Sequence, residues 1–259
     1  MIRHEIEGHT CIITIDNPPA NTWTPESLRA LQDLVGTLEA DKSVYAAVIT
    51  GAGEKFFSAG ADLKRFHVTD SEGRAAAREF IARFGAAFEA FMNARFVTIA
   101  AINGYAMGGG LECALACDMR IAEAHAQMAL PEPAVGLLPA GCGTQNLPWL
   151  VGEGWAKRMI LTNERVPAET ALRIGLVEEV VETGKSLATA RAMAERVAAL
   201  SPKAVEFCKG LIHNARNGVP RRAGLALERE RFMDLFDFDD QREGVAAFLA
   251  KRKPEWKNN

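Results

Sequence analysis

The run Phe96-Val97-Thr98-Ile99-Ala100-Ala101-Ile102 passes directly into Asn103-Gly104-Tyr105-Ala106-Met107-Gly108-Gly109-Gly110-Leu111-Glu112, and this junction decides the reading of the fold. An uncharged run of this length, rich in β-branched residues and bounded by turn residues, reads as a strand buried on both faces. The glycines mark a loop, and a short helix is expected from about Gly109. Strand, loop, helix is the repeating unit of an α/β protein with largely parallel strands, whose C-terminal ends deliver the loops that carry chemistry.

The same pattern recurs upstream. Tyr45-Ala46-Ala47-Val48-Ile49-Thr50 reads as a buried strand stopped by Gly51-Ala52-Gly53, and a second glycine-bearing stretch follows, Phe57-Ser58-Ala59-Gly60-Ala61-Asp62-Leu63-Lys64. Before it, alternation at Ile2, His4, Ile6 and at Cys11, Ile13, Ile15 across Gly8-His9 predicts a β-hairpin ending at Asn17-Pro18-Pro19. Thr24 is a helix cap with Pro25 in the first turn, and Leu28, Leu31, Leu34, Val35 and Leu38 fall on one helical face. Residues 73–93 also read as helix. Met119–Ala122 and Ala126–Leu130 are short strand candidates before the loop Pro131-Glu132-Pro133.

Beyond Gly175 the pattern turns to Ala-rich helices, opened by Ser186 and by Ser201-Pro202, then spanning 219–236 and 241–253. The expected organisation is an α/β core over 1–185 and a helical, oligomer-forming region over 186–259. Leu225, Leu227, Phe232, Met233, Leu235, Phe236 and Phe238 gather enough apolar surface to predict docking against another copy of the chain.

Composition removes several function classes. The 259 residues are 48% hydrophobic and 24% charged with a net charge of −3, an ordinary globular balance that offers no general electrostatic hold on nucleic acid or anionic membrane. The basic residues Arg216, Arg221, Arg222, Lys251, Arg252, Lys253 and Lys257 are the only feature in favour of RNA binding. The five cysteines form no C-x-x-C pair or zinc pattern and read as reduced packing residues. A start without an apolar leader and the lack of a membrane-length apolar run lead to the expectation of a cytoplasmic protein.

The two glycine stretches expose main-chain N–H groups that larger side chains would cover. Two such donors converging on one point make an oxyanion hole. Glu112 stands three residues beyond Gly109, and Glu132 follows twenty later between two prolines that restrict its backbone. Together they offer stabilisation of a developing negative charge with a general acid and a general base, and no metal ligands. Read singly, Gly108-Gly109-Gly110 also fits a plain turn, and Glu112 fits an acid stabilised in a first helical turn. Neither a dinucleotide G-x-G-x-x-G turn nor a phosphate-loop lysine is present. Aromatics at 7%, few of them near these loops, disfavour a sugar site built on the two carboxyls, and the histidines sit in no triad-like context.

In order and spacing, Phe57–Lys64, Asn103–Ala114, Pro131-Glu132 and Gly143-Thr144-Gln145 resemble the enoyl-CoA hydratase/isomerase (crotonase) family. The similarity runs nearly end to end, through Ala171–Val177 to the closing Arg242–Lys253. The resemblance implies a spiral of β-turn-β-α units, C-terminal helices that organise a homotrimer or a dimer of trimers, and a coenzyme A thioester substrate of the kind met in fatty acid metabolism, with no separate cofactor. By motif position it implies that the N–H groups of Ala61 and Gly109 bind the thioester oxygen. Ala59, Ala61, Asp62, Leu63, Lys64 and Gly109 would contact the substrate, and Glu112 and Glu132 would be the paired glutamates of a hydratase, base and acid in turn. Isomerisation, hydrolysis, decarboxylation or carbon–carbon cleavage of a coenzyme A thioester is the alternative on the same fold.

Three departures from the family pattern stand out. Pro139-Ala140-Gly141-Cys142-Gly143 replaces a commoner Gly-Ala-Gly-Gly after the proline, with a backbone donor expected at Ala140 and its methyl narrowing the space beside the water. Asn146 stands where Arg is common, and Trp23 is bulky for its loop. All three are expected to reshape the acyl pocket.

Overall fold

The computed structural model describes residues 1–259. It opens with the expected hairpin, β1 (Ile2–Glu7) paired antiparallel with β2 (Thr10–Ile15). The two strands differ in burial. β1 is an exposed edge, whereas β2 is buried almost throughout, with Ile13 in the main core and Ile12 in a second core on the opposite face. Alternation within β2 therefore sorts residues between two cores rather than between core and water.

α1 (Pro25–Ala40) starts where the sequence puts it. Thr24 accepts from the Ser27 N–H, Ser27 returns the contact to the Thr24 N–H, and the five predicted apolar positions are buried. After β3 (Ala46–Gly51) and β4 (Phe56–Ser58) comes α2 (Ser71–Met92), capped by Asp70. β5 (Val97–Ile102), β6 (Tyr105–Met107) and α3 (Gly109–Leu115) follow, then β7 (Met119–Glu123), β8 (Gln127–Ala129) and α4 (Gly143–Leu161). β9 (Val166–Pro167), α5 (Ala168–Arg173) and β10 (Glu179–Val181) precede the C-terminal helices α6 (Ser186–Ala198), α7 (Pro202–Arg216), α8 (Arg221–Asp234) and α9 (Asp239–Leu249).

Two sheets result. The larger has the order β1-β2-β3-β5-β7-β10 and is parallel apart from β1; the smaller has the order β4-β6-β8-β9 and is parallel apart from β9. Each of the triplets β3-β4-α2, β5-β6-α3 and β7-β8-α4 sends its first strand to the large sheet and its second to the small one, and closes with a helix. This is the β-turn-β-α spiral that the resemblance implied. Asn103 sets one of these corners. Its amide donates to the carbonyls of Gly51 and Gly53 and accepts from the Gly51 N–H, so backbone groups that leave the ladder are still paired.

α2 carries the column that backs the site. Phe80, Phe84 and Phe88, spaced four apart, meet edge-on with ring centroids 5.0 and 5.5 Å apart, and Phe88 in turn meets Trp23 edge-on. Burying each ring contributes about 1.5–3 kcal/mol, so this face anchors the helix firmly.

The C-terminal half differs from expectation in details. Ser186 opens α6 without capping it: its hydroxyl donates to the buried carboxylate of Glu123 at 2.8 Å, because a buried charge must find donors. α8 is shorter than 219–236 because it starts after Pro220 and tightens into a 3₁₀ turn at Leu235–Asp237. α9 runs Asp239–Leu249, two residues earlier than expected at its start and stopping before Lys251, which adopts φ of 53°. Of the predicted docking residues, Phe232 and Met233 are 62% and 60% exposed, Phe236 and Leu225 are exposed, and Leu227, Leu235 and Phe238 are half-buried. No helix is long and apolar enough to cross a membrane.

Candidate active site

The C-terminal ends of the small-sheet strands deliver three loops to one cavity of about 660 Å³. Ala59, Gly60, Ala61 and Leu63 form one wall, Gly108, Gly109 and Glu112 the floor, and Glu132 with the segment to Gly141 the other side. Phe66, Ile81, Phe84, Val135, Leu137 and Leu138 make the rest largely apolar, suited to a hydrocarbon chain. Six of the eight residues singled out from sequence thus line a common space: Ala59, Ala61, Leu63, Gly109, Glu112 and Glu132. Asp62 and Lys64 do not line it; the Asp62 carboxylate accepts the Lys64 N–H and caps the 3₁₀ turn Leu63–Phe66, leaving Lys64 exposed. A cavity of about 630 Å³ beside α1 and α2, with Arg29, Arg65 and Arg83 in its wall, contains none of the eight.

The two glycine loops touch. Gly60 has φ of +89°, and a methyl group on it would lie 2.6 Å from the Met107 carbonyl and 3.0 Å from the Gly109 nitrogen. Glycine is required there both for conformation and for space. Gly109 is the first residue of α3, where helix geometry leaves the N–H without an intrahelical acceptor. Its own Cα is pressed by Phe84, whose ring would stand 2.7 Å from an added methyl. The N–H groups of Ala61 and Gly109 therefore lie on adjoining loops at the edge of the cavity.

The two carboxyls occupy contrasting environments. Glu112 is 3% exposed, and its Oε1 accepts three backbone N–H groups, from Gly141 at 2.8 Å, Cys142 at 3.0 Å and Gly143 at 2.8 Å. Burial pushes its pKa upward, and the three donors oppose that push by stabilising the anion. Glu132 opens the 3₁₀ turn Glu132–Val135, and its Oε2 is buried without a hydrogen-bond partner. Burial, with a smaller contribution from the charge of Glu112, raises its pKa to about 7. One carboxyl is held by donors and the other is left bare, so the second is the easier to keep protonated.

Beside Ala140, the residues that donate to Glu112 are Gly141, Cys142 and Gly143, a concave run of successive N–H groups that the sequence did not single out, with Cys142 at φ of +144°. The closely spaced glycines around Cys142 are the signal for such a nest. Ala140 still lines the cavity. Asn146 is buried outside the cavity wall, donating to the Leu115 carbonyl. Trp23 does not line the cavity either; it is fully buried behind the glycine loops.

The chain is similar to known proteins along its whole length. Residues 5–259 match the family described as enoyl-CoA hydratase/isomerase. The chain is 38% identical over 253 residues to the short-chain-enoyl-CoA hydratase of Clostridium acetobutylicum, covering 97% of this chain and 95% of that protein. Among solved structures, Pseudomonas aeruginosa DspI is 61% identical with a TM-score of 0.95, covering 99% of this chain and 96% of its own. An enoyl-CoA hydratase from Bacillus anthracis is 35% identical with a TM-score of 0.93, covering 100% and 99%. On this end-to-end likeness in sequence and fold, the chain belongs to the enoyl-CoA hydratase/isomerase family.

Proposed function

We propose that the protein adds water across the double bond of trans-2-enoyl-CoA thioesters to give 3-hydroxyacyl-CoA, with Glu112 as base and Glu132 as acid. The observation that carries the reading is the contrast between the carboxyls. Three N–H donors hold one oxygen of Glu112 in a form suited to the anion, while Glu132 is desolvated, with a pKa of about 7 and no donor on Oε2.

The chemistry then balances. The thioester carbonyl accepts from the N–H groups of Ala61 and Gly109, which draws electron density from the β-carbon. Glu112 takes a proton from water as the water oxygen bonds to that carbon. The displaced π-electrons move to the α-carbon and the carbonyl oxygen as an enolate, which the two N–H groups stabilise. Glu132 delivers its proton to the α-carbon and the carbonyl re-forms. The net change is addition of one water across adjacent carbons: its hydroxyl bonds to the β-carbon, the proton of Glu132 to the α-carbon, and the water's proton, passed from Glu112 to Glu132, resets the pair.

The working enzyme carries one proton on the pair, and titration belongs to the two groups jointly. Above about 7 the Glu132 proton is lost, so kcat/KM is expected to fall about tenfold per pH unit on the alkaline side. Because hydration consumes no net proton, the reverse dehydration must show the same alkaline limb. Steady-state rates in both directions across pH check this, and a flat profile above neutrality would contradict the assigned acid.

The deciding experiment follows loss of the conjugated thioester absorbance with crotonyl-CoA and longer homologues, with products identified by mass. A product heavier than substrate by one water supports the reading, and an unchanged series sinks it. The exposed Phe232, Met233 and Phe236 on and after α8 support self-association, and the family resemblance makes a homotrimer or a dimer of trimers the expected form. Light scattering is expected to give three or six times the chain mass; a monomer that persists at assay concentrations would refute it.

A further inference from the structure

Glycine loops do not hold themselves still. Gly60 and Gly109 have no side chains to pack, yet an oxyanion hole works only if its donors are already aimed when charge develops. Trp23, on the loop between the hairpin and α1, meets both loops. Its N–H donates to the Gly60 carbonyl at 2.8 Å, and its carbonyl accepts the Asp62 N–H at 3.3 Å, forming an isolated parallel bridge with Ala61. Its indole Nε1–H donates to the Gly109 carbonyl at 3.1 Å, 86 residues away in sequence.

The first of these contacts acts on a donor peptide itself. Gly60 C=O and Ala61 N–H belong to one planar, trans peptide and point in opposite directions. Holding the carbonyl from behind fixes the direction of the N–H in front. The indole contact does the corresponding work at the first residue of α3, securing the backbone that carries the Gly109 N–H. The indole cannot swing away: Trp23 is fully buried, its ring meets Phe88 edge-on at 5.5 Å, and a buried N–H that lost its acceptor would go unpaired. The next residue is the cap of α1, locked by its reciprocal contacts with Ser27, so the anchor itself is rigid.

We propose that Trp23 is a positioning residue for the reaction, clamping the Gly60–Ala61 donor peptide through its backbone N–H and, through its indole N–H, the peptide that follows the Gly109 donor in the first turn of α3. This rests on the assignment of Ala61 and Gly109 as the donors. The expected consequence is on the rate of the chemical step rather than on binding, because the aim of the donors matters most when the oxygen carries full charge.

The test removes the N–H while keeping the shape. Trp23 is replaced site-specifically by 3-benzothienylalanine, whose sulfur stands where the indole N–H was, alongside Trp23→Phe. Three quantities are read: kcat and KM for crotonyl-CoA hydration, and the red shift of the absorption band of a bound dimethylaminocinnamoyl-CoA, which reports polarisation of the thioester carbonyl. The isostere is expected to stay folded under assay conditions, to lose about tenfold in kcat, about 1.4 kcal/mol of barrier, with KM little changed, and to shift the dye less. Trp23→Phe should lose more of kcat and of the dye shift. An isostere with full kcat and full dye shift would overturn the indole clamp and leave the Trp23 side chain as packing alone. If the parent shifts the dye but does not hydrate, and the isostere loses the shift, hydration fails while the clamp stands. A parent that binds the dye without shifting it overturns the donors and the clamp together.

Discussion

Glu132→Gln is expected to lower kcat for enoyl-thioester hydration by about 10²–10⁴, the range lost when a positioned acid is removed. The amide matches the carboxylic acid in size and is neutral, as the acid largely is below its pKa of about 7. It has no proton to give to the α-carbon. Since Glu132 Oε2 makes no hydrogen bond, no protein contact of that oxygen is broken, and folding should be unaffected by circular dichroism. KM should change little, because the loss falls on the transition state. The alkaline limb of the pH profile should vanish along with the rate. Glu112→Gln is expected to be equally damaging for a different reason: its amide oxygen can still accept the N–H groups of Gly141, Cys142 and Gly143, but the side chain can no longer take a proton from water. A variant at either position that kept more than about a tenth of parental kcat would remove that residue from proton transfer.

Gly60→Ala is the second large effect, expected to cost about 10²–10³ in kcat, as when one oxyanion donor is lost. The methyl would meet the Met107 carbonyl at 2.6 Å and the Gly109 nitrogen at 3.0 Å, and the neighbours are backbone with little freedom to yield. The φ of +89° adds strain for any residue with a Cβ, so the loop must shift and carry the Ala61 N–H with it. Stability should fall as well, by about 1–3 kcal/mol. Urea unfolding measures the second effect and single-turnover kinetics the first. Full single-turnover rates in a destabilised Gly60→Ala protein would show that Ala61 is not a donor. Gly36→Ala is the matched control, since the added methyl there meets nothing within 4 Å.

The positions of the elements were legible because local signals agreed with the global fold. The 3.6-residue spacing of Leu28 to Leu38 had one solution, a helix capped at Thr24, and the uncharged runs at 45–50 and 96–102 had one, strands covered on both faces. Boundaries in the C-terminal helices were less legible, because Ala-rich sequence continues a helix without stating where it ends. There Pro220, the 3₁₀ turn at Leu235–Asp237 and the positive φ at Lys251 decided.

For the site, the groups present can be read from the residues: glycines where backbone must be approached, and two carboxyls at a spacing that matches a known family. What each group experiences depends on contacts made across the fold. The nest at 141–143 reaches Glu112 from about thirty residues away, and the indole of Trp23 reaches Gly109 from 86. Neither contact leaves a periodicity or a local motif to read. The bare environment of Glu132 is also a tertiary fact, since the apolar walls that raise its pKa come from α2 and from the loop that follows Glu132 itself. A residue's identity is local, but the free energy of its charge is set by whatever the fold brings within a few ångströms of it.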